Sequence, residues 1–287
     1  LDQCPLLVSH SIQTSHGGNM ILNKTECENN FSAQFNTQTS GLGATRANIL
    51  RLLRSIDLVG WSTHEESGKV DRKAFTRFAC GSTAVFSKRQ HVDAVKSSVS
   101  ILIDCSGSME ADNKIVIAES ITIQLSRILD KAGVEFNVTG FHGNTSVKAL
   151  DESGATKRAD AFRTEHVRFI PFKTWKENLA KASAKLGSIR QWAQSSTPDY
   201  SALSLAIEDL YRQDAQRKIL FLITDADGYC KAHMKHLQSV ADKLGVKIVA
   251  IGIGRTTVDQ CFTSGENVEN VSGLASASFN KLLKELR

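Results

Sequence analysis

The sequence predicts a doubly wound α/β fold, a mostly parallel central sheet flanked by helices, behind an irregular and partly helical N-terminal extension. Three observations predict it. From Ser98 onward, short apolar runs alternate with amphipathic helical stretches, the order that lays helices on both faces of a parallel sheet. Several of those runs are apolar at consecutive positions, as strands are when both sheet faces are covered. Ahead of Ser98 the alternation is missing, and Asn, Ser, Thr and Gln crowd the stretch from Ser9 to Ser40. The expected division is an extension over 1–97 and an α/β unit over 98–287.

Within the extension, Ala44 to Asp57 reads as a helix, with Ile49, Leu50, Leu52, Leu53 and Ile56 mostly on one face. Gly60-Trp61 leads into a charged loop from His64 to Arg72. A short helical piece at Lys73–Phe78 and an extended segment at Ala84–Ser87 follow. Large apolar residues are too few here for a generous core, so the extension is expected to pack onto something else. In the α/β unit, strands are expected at Val99–Asp104, Val134–Phe141, Val167–Ile170, Ile219–Thr224 and Val246–Ile253. Helices are expected at Lys114–Ala132, Thr174–Leu186, Asp199–Gln213, Cys230–Leu244 and Ala275–Leu286. No internal repeat is visible.

Composition narrows the function classes. The 287 residues are 41% hydrophobic and 23% charged, with 3 Pro and 19 Gly, which suits a globular chain and excludes a collagen-like or linker-dominated one. Cysteines at 4, 27, 80, 105, 230 and 261 are scattered. They are too sparse for a disulfide scaffold and form no CxxC pair of a zinc ribbon. No apolar run reaches bilayer length, and LDQCPLLVSHS lacks the basic-then-apolar pattern of a signal peptide. The expectation is a cytoplasmic, reducing setting with no membrane partner. The net charge of +5 permits an acidic partner without pointing to nucleic acid.

Ligand sites of open parallel sheets lie at the carboxyl ends of strands. There the first strand of the unit runs into Asp104-Cys105-Ser106-Gly107-Ser108. In extended chain, alternate residues face one side, so Asp104, Ser106 and Ser108 would converge, with Gly107 allowing a sharp turn. One carboxylate and two hydroxyls are hard oxygen donors, suited to Mg²⁺ or Mn²⁺ rather than zinc. The same spacing also serves an ordinary strand-to-helix turn capped by Ser and Asp. Two further loops tip the balance toward a metal site. Thr197 supplies a hydroxyl just before another helix, and Asp225 and Asp227 supply carboxylates after a central strand.

This constellation resembles the metal-ion-dependent adhesion site of the von Willebrand factor A (VWA) family. Its Asp-x-Ser-x-Ser pattern is matched by Asp104, Ser106 and Ser108, its Thr by Thr197 and its later Asp by Asp225. The resemblance implies Mg²⁺ held by these residues, with an open coordination position that takes a carboxylate from a partner protein. Many relatives have Asp-Gly directly after the strand, whereas Ala226 follows Asp225 here; Asp225 keeps the spacing and Asp227 is the alternative. Further stretches are similar to the cobaltochelatase subunit family CobT: Gly68–Arg77, Val85–Arg89, Leu102–Met109, Phe172–Leu179 and Ile248–Gly254. That resemblance implies a non-ATPase subunit or adaptor working with a MoxR- or CobS-type AAA+ ATPase. It also implies a large CobN-like subunit and cobalt insertion into a corrin ring. The chain carries no Gly-x-x-x-x-Gly-Lys-Ser/Thr phosphate loop, so ATP hydrolysis would belong to the partner. The competing readings are a stand-alone adhesion-type module and a MoxR-type chaperone adaptor.

Other signals weigh less. Cys230, His233 and His236 do not return to one helix face, which disfavours zinc. Gly252-Ile-Gly254 lacks the third glycine of a dinucleotide loop, and Cys105 reads as a small buried residue. Lys173, Trp175 and Lys176 could form a partner surface or only the solvated side of a helix.

Overall fold

The computed structural model of the protein describes residues 23–36, 47, 60–71, 74–90, 96–143, 167–226, 229–254 and 256–269. Its first element is a helix hidden by polar composition. This helix, α1 (Lys24–Asn36), buries only Cys27 and Phe31. Strand β1 (Gly60–Glu65), strand β2 (Lys69–Val70), the short helix α2 (Phe75–Ala79) and strand β3 (Phe86–Gln90) follow. The three strands make a small antiparallel sheet in the order β1-β3-β2. The stretch read as a lead into a charged loop is therefore a strand through Glu65, with Trp61, Ser62 and Thr63 opposite Arg89, Lys88 and Ser87. Among the described residues of that stretch, Glu66-Ser67-Gly68 and Asp71 remain outside regular structure. Of the helix expected at 44–57, only Ala47 is described, and it is helical. The helix expected at 275–286 lies outside the described residues.

The larger unit runs β4 (Ser97–Asp104), α3 (Lys114–Ala132), β5 (Glu135–Gly143), β6 (Val167–Lys173), α4 (Leu179–Leu186), α5 (Asp199–Tyr211), β7 (Arg217–Thr224), α6 (Lys231–Lys243), β8 (Val246–Ile253), α7 (Val258–Cys261) and β9 (Gly265–Val268). Single 3₁₀ stretches at Gly107–Asn113 and Ile189–Gln191 lead into α3 and follow α4. The six-stranded sheet has the order β6-β5-β4-β7-β8-β9. Strand β4 is parallel to β5 and β7, and β8 is parallel to β7 and β9; β6 runs antiparallel to β5. Every residue of β4 is buried, as the consecutive apolar run required. Ile101 and Ile103 enter a core cluster with Ile121 and Leu125 of α3, whereas Leu102 enters a second cluster with Leu203 of α5 and Leu237 of α6. Neighbouring strand residues thus feed opposite faces, which is the doubly wound arrangement. Each such side chain contributes about 1.5–3 kcal/mol by leaving water.

Two local corrections have physical causes. The helix expected from Thr174 begins at Leu179, because Asn178 caps it: its Oδ1 accepts the Ala180 N–H at 2.8 Å. Helix α1 belongs to the same packing as α3 and α4, for Phe31 sits in their core cluster. Backbone closeness makes this possible, since a Cβ on Gly187 would fall 1.9 Å from the Cys27 carbonyl oxygen. Polar side chains then fix α1 to α3. Arg127 donates to the Phe35 carbonyl at 2.8 Å and Gln34 Nε2 to Glu119 Oε1 at 3.3 Å.

This topology positions the site. The chain leaves β4 to build β5 on one side and later β7 on the other. The crevice beyond the carboxyl end of β4 is thus a topological switch point.

Candidate metal centre

Strand β4 ends on Asp104, whose carboxylate is fully buried and doubly held. Its Oδ1 accepts the Ser106 N–H at 2.9 Å, and its Oδ2 accepts the Thr224 hydroxyl at 2.8 Å. Thr224 is the last residue of β7, and parallel pairing of Ile103 with Ile223 brings it alongside. Past Asp104 the chain places the Ser106 and Ser108 hydroxyls 3.1 Å apart. Ser108 donates onward to Asp225 Oδ1 at 3.3 Å. The other oxygen of Asp225 receives the Lys114 ammonium at 2.9 Å. Four of the sequence-derived candidates, Asp104, Ser106, Ser108 and Asp225, therefore meet in one hydrogen-bonded chain.

The loop carrying Thr197 is attached to the same place by backbone bonds. Gln194 N–H donates to the Cys105 carbonyl at 2.9 Å, Gly107 N–H to the Ser195 carbonyl at 2.9 Å, and Gly143 N–H to the Ser196 carbonyl at 2.8 Å. Half-buried Thr197 follows directly, one residue before Pro198 and two before α5. Asp227 lies outside the described residues.

Gly107 was expected to make a sharp turn. Its role is close approach instead: a Cβ there would stand 3.3 Å from the Ser195 carbonyl oxygen. The turn is made further on, by Asp112 and Asn113 at φ 53° and 55°, in the left-handed region that Asp and Asn tolerate better than other side-chain-bearing residues. Ala226, directly after Asp225, also takes positive φ at 50°. Its N–H donates to the Thr224 hydroxyl at 2.8 Å, which closes the turn that presents Asp225.

Burial dominates the electrostatics of Asp104. Burial pushes the Asp104 carboxyl up from 3.8 to about 6; hydrogen bonds from Ser106 and Thr224 oppose the rise, and the nearby charge of Asp225 adds to it. Burial likewise raises the Cys105 thiol far above its ordinary value, which makes it an inert packing residue. The donors gathered here are all oxygens, two from carboxylates and the rest from hydroxyls. Such a set fits a hard divalent cation and not zinc. Among the described residues no group of three or more His, Cys, Asp or Glu side chains forms a metal cluster. Cys230 is exposed, and His233 instead sets its ring edge-on to Tyr200, 5.7 Å between centroids.

Two members of the site escaped sequence reasoning. Thr224 carried a signal, a hydroxyl residue immediately before Asp225 at a strand end. Lys114 carried none beyond opening a helix, since its reach to Asp225 depends on the left-handed pair ahead of it. The suggested partner surface needs correction as well. Lys173 is only 4% exposed. Its ammonium donates to the Phe136 carbonyl at 2.6 Å and the Thr174 carbonyl at 3.2 Å, and lies 4.0 Å over the Phe136 ring. The sequence read it as a helix-flank lysine, but it closes β6 and points inward. Trp175 is half-buried with its indole N–H donating to Asp209 at 3.0 Å, and Lys176 is exposed.

A family comparison agrees with this fold. Residues 85–286 match the family of the cobalamin biosynthesis protein CobT VWA domain. No curated protein sequence matches. Among solved structures, the chain is similar to the conserved hypothetical protein BatB from Bacteroides thetaiotaomicron at 13% identity and a TM-score of 0.48, over 66% of this chain and 98% of that one. The manganese-loaded TRAP protein of Plasmodium vivax is similar at 13% identity and a TM-score of 0.47, over 67% and 73%. The PilB minor pilin of Streptococcus sanguinis is similar at 13% identity and 0.48, over 70% and 64%.

Proposed function

Because this chain belongs to the CobT VWA-domain family, we propose that it is a metal-dependent docking subunit rather than a catalyst. Asp104, Ser106, Ser108, Thr197 and Asp225 would hold Mg²⁺, or Mn²⁺ in its place, with Asp227 as the alternative to Asp225. The observation that carries this reading is the hydrogen-bonded chain from Ser106 through Ser108 to Asp225 beside buried Asp104. When bound, the ion supplies an electrophilic position that a carboxylate of a partner protein can occupy. The protein's own residues do the rest. Thr224 and the Ser106 N–H orient Asp104, and the backbone bonds from Cys105, Gly107 and Gly143 hold the Thr197 loop beside the serines. Hydroxyl donors leave a cation less neutralised than a full carboxylate set would, which favours capture of an external acid.

The partner on this reading is an AAA+ ATPase of the MoxR or CobS type, joined by a large CobN-like subunit, with cobalt insertion into a corrin ring as the client reaction. Family membership supports that assignment. So does the division of labour in the sequence, which has no phosphate loop among its 287 residues. Two experiments test the reading. Calorimetric titration with Mg²⁺ should show binding by the wild type and none by Asp104→Ala; equal heats from both would remove the site. Pull-down of the cognate AAA+ protein should succeed with Mg²⁺ and fail with EDTA. No association in either condition would favour a stand-alone binding module.

A further inference from the structure

The cluster also holds a positive charge, the ammonium of Lys114. It stands 2.9 Å from Asp225 Oδ2, and its side chain keeps 23% of its surface exposed while that of Asp225 keeps 2%. The lysine is the first residue of α3, whose first turn contains no acidic residue. A cation at a helix amino terminus faces the positive end of the macrodipole, so local structure gives this position no reason to hold a lysine. Its partner comes instead from across the fold, 111 residues away. The left-handed pair Asp112 and Asn113 immediately ahead sets the direction in which α3 starts.

The consequence is a matter of charge. Asp104 and Asp225 ionised would present two negative charges to an incoming divalent ion. With Lys114 on Asp225 the cluster presents one. We infer that Lys114 is a built-in competing cation that weakens divalent-ion binding at this site and keeps its occupancy reversible. The inference rests on the metal-docking reading above. The ammonium and the divalent ion draw on the same carboxylate, Asp225, and like charges a few ångströms apart oppose each other in a partly buried setting. Because Lys114 reaches solvent, it has somewhere to go when the ion arrives, whereas Asp225 does not.

Titration calorimetry with MgCl₂ on the full chain tests this. Lys114→Met, which keeps length and removes charge, should bind Mg²⁺ about tenfold more tightly than the wild type. Lys114→Arg should stay near the wild type, because it keeps the charge. The gain from Lys114→Met should shrink at about 1 M salt, where charges a few ångströms apart are screened. Thermal melts establish that each variant is folded, and Lys114→Gln replaces Lys114→Met if the latter is not. Wild-type binding with no tightening in the neutral variant would overturn the inference and leave the site reading intact. Absence of binding in wild type and neutral variant alike would overturn the site reading. Binding seen only after Lys114 is neutralised would support both.

Discussion

Two places among the described residues bury carboxylates, and they use them in opposite ways. Beneath α1, Glu119 of α3 is fully buried and saturated with partners. Arg190 donates to it through its side chain and its backbone N–H, at 3.0 Å for both Nε to Oε1 and N–H to Oε2, and Gln34 adds a further bond. Beyond the carboxyl end of β4, Asp104 is just as deeply buried but is met by neutral donors, the Thr224 hydroxyl and the N–H and hydroxyl of Ser106. An arginine fork neutralises its carboxylate and welds three segments together. Neutral donors orient a carboxylate and leave its charge available to something else. The difference separates a structural ion pair from a candidate binding site.

Breaking the first of the two should cost the most. Arg190→Ala leaves Glu119 buried without its counter-charge, and such losses run to about 3–5 kcal/mol. Urea unfolding should show that drop. Mg²⁺ binding at the distant cluster should be unchanged in whatever fraction stays folded. A loss below 1 kcal/mol would mean the two clusters are not different in kind.

The second cluster should behave oppositely, because its acid is uncomfortable as an anion. The Asp104 carboxyl is raised from 3.8 to about 6 by burial. Its contribution is therefore fully present below about pH 4 and is lost as pH rises through about 6. Metal-free protein should lose about 2–3 kcal/mol from this group between those limits. Asp104→Asn should flatten that part of the stability profile and gain stability at pH 8 while losing Mg²⁺ binding. Saturating Mg²⁺ should reverse the slope for the wild type, since the ion binds the deprotonated acid. An identical pH profile for wild type and Asp104→Asn would show that burial does not strain this carboxylate.

How much of this contrast the sequence revealed depends on distance along the chain. The strands of the α/β unit other than β9 were legible, β4, β7 and β8 because they are apolar at successive positions, a signal confined to a few neighbouring residues; β9, Gly265–Val268, has no such run. Asp104, Ser106 and Ser108 were legible for the same reason, sharing one strand end. Helix α1 was not, because it buries only Cys27 and Phe31 in thirteen residues and owes its place to Gly187 far downstream. Glu119, Arg190 and Lys114 were silent too. Each acquires its role from a partner that only the folded topology brings near. Lys173 failed in the other direction: a lysine beside Trp175 reads as surface, and the interior carbonyls that bind it have no sequence signature.

The junction of α1 gives an intermediate test. Gly187→Ala places a methyl against the Cys27 carbonyl oxygen, 1.9 Å away if nothing shifts, and backbone cannot yield as a side-chain tip does. The expected cost is about 1–3 kcal/mol, the range for overpacking. Hydrogen exchange should show faster amides in α1 and unaltered protection in β4 and β7.

An effect of similar size is the most specific to the acid at the end of β4. Thr224→Val keeps the shape of the side chain and removes the hydroxyl that donates to Asp104 Oδ2 and accepts from the Ala226 N–H. One oxygen of a fully buried carboxylate and one N–H lose a partner, a cost of about 1–3 kcal/mol. The hydroxyl holds the Asp104 pKa down, so its removal should move the stability slope to higher pH. A valine at Thr224 that destabilised without shifting that slope would reduce the hydroxyl to a turn-closing role at Ala226. A shift of the slope would assign Thr224 as a positioning residue that holds Asp104 in the orientation and charge state a cation requires.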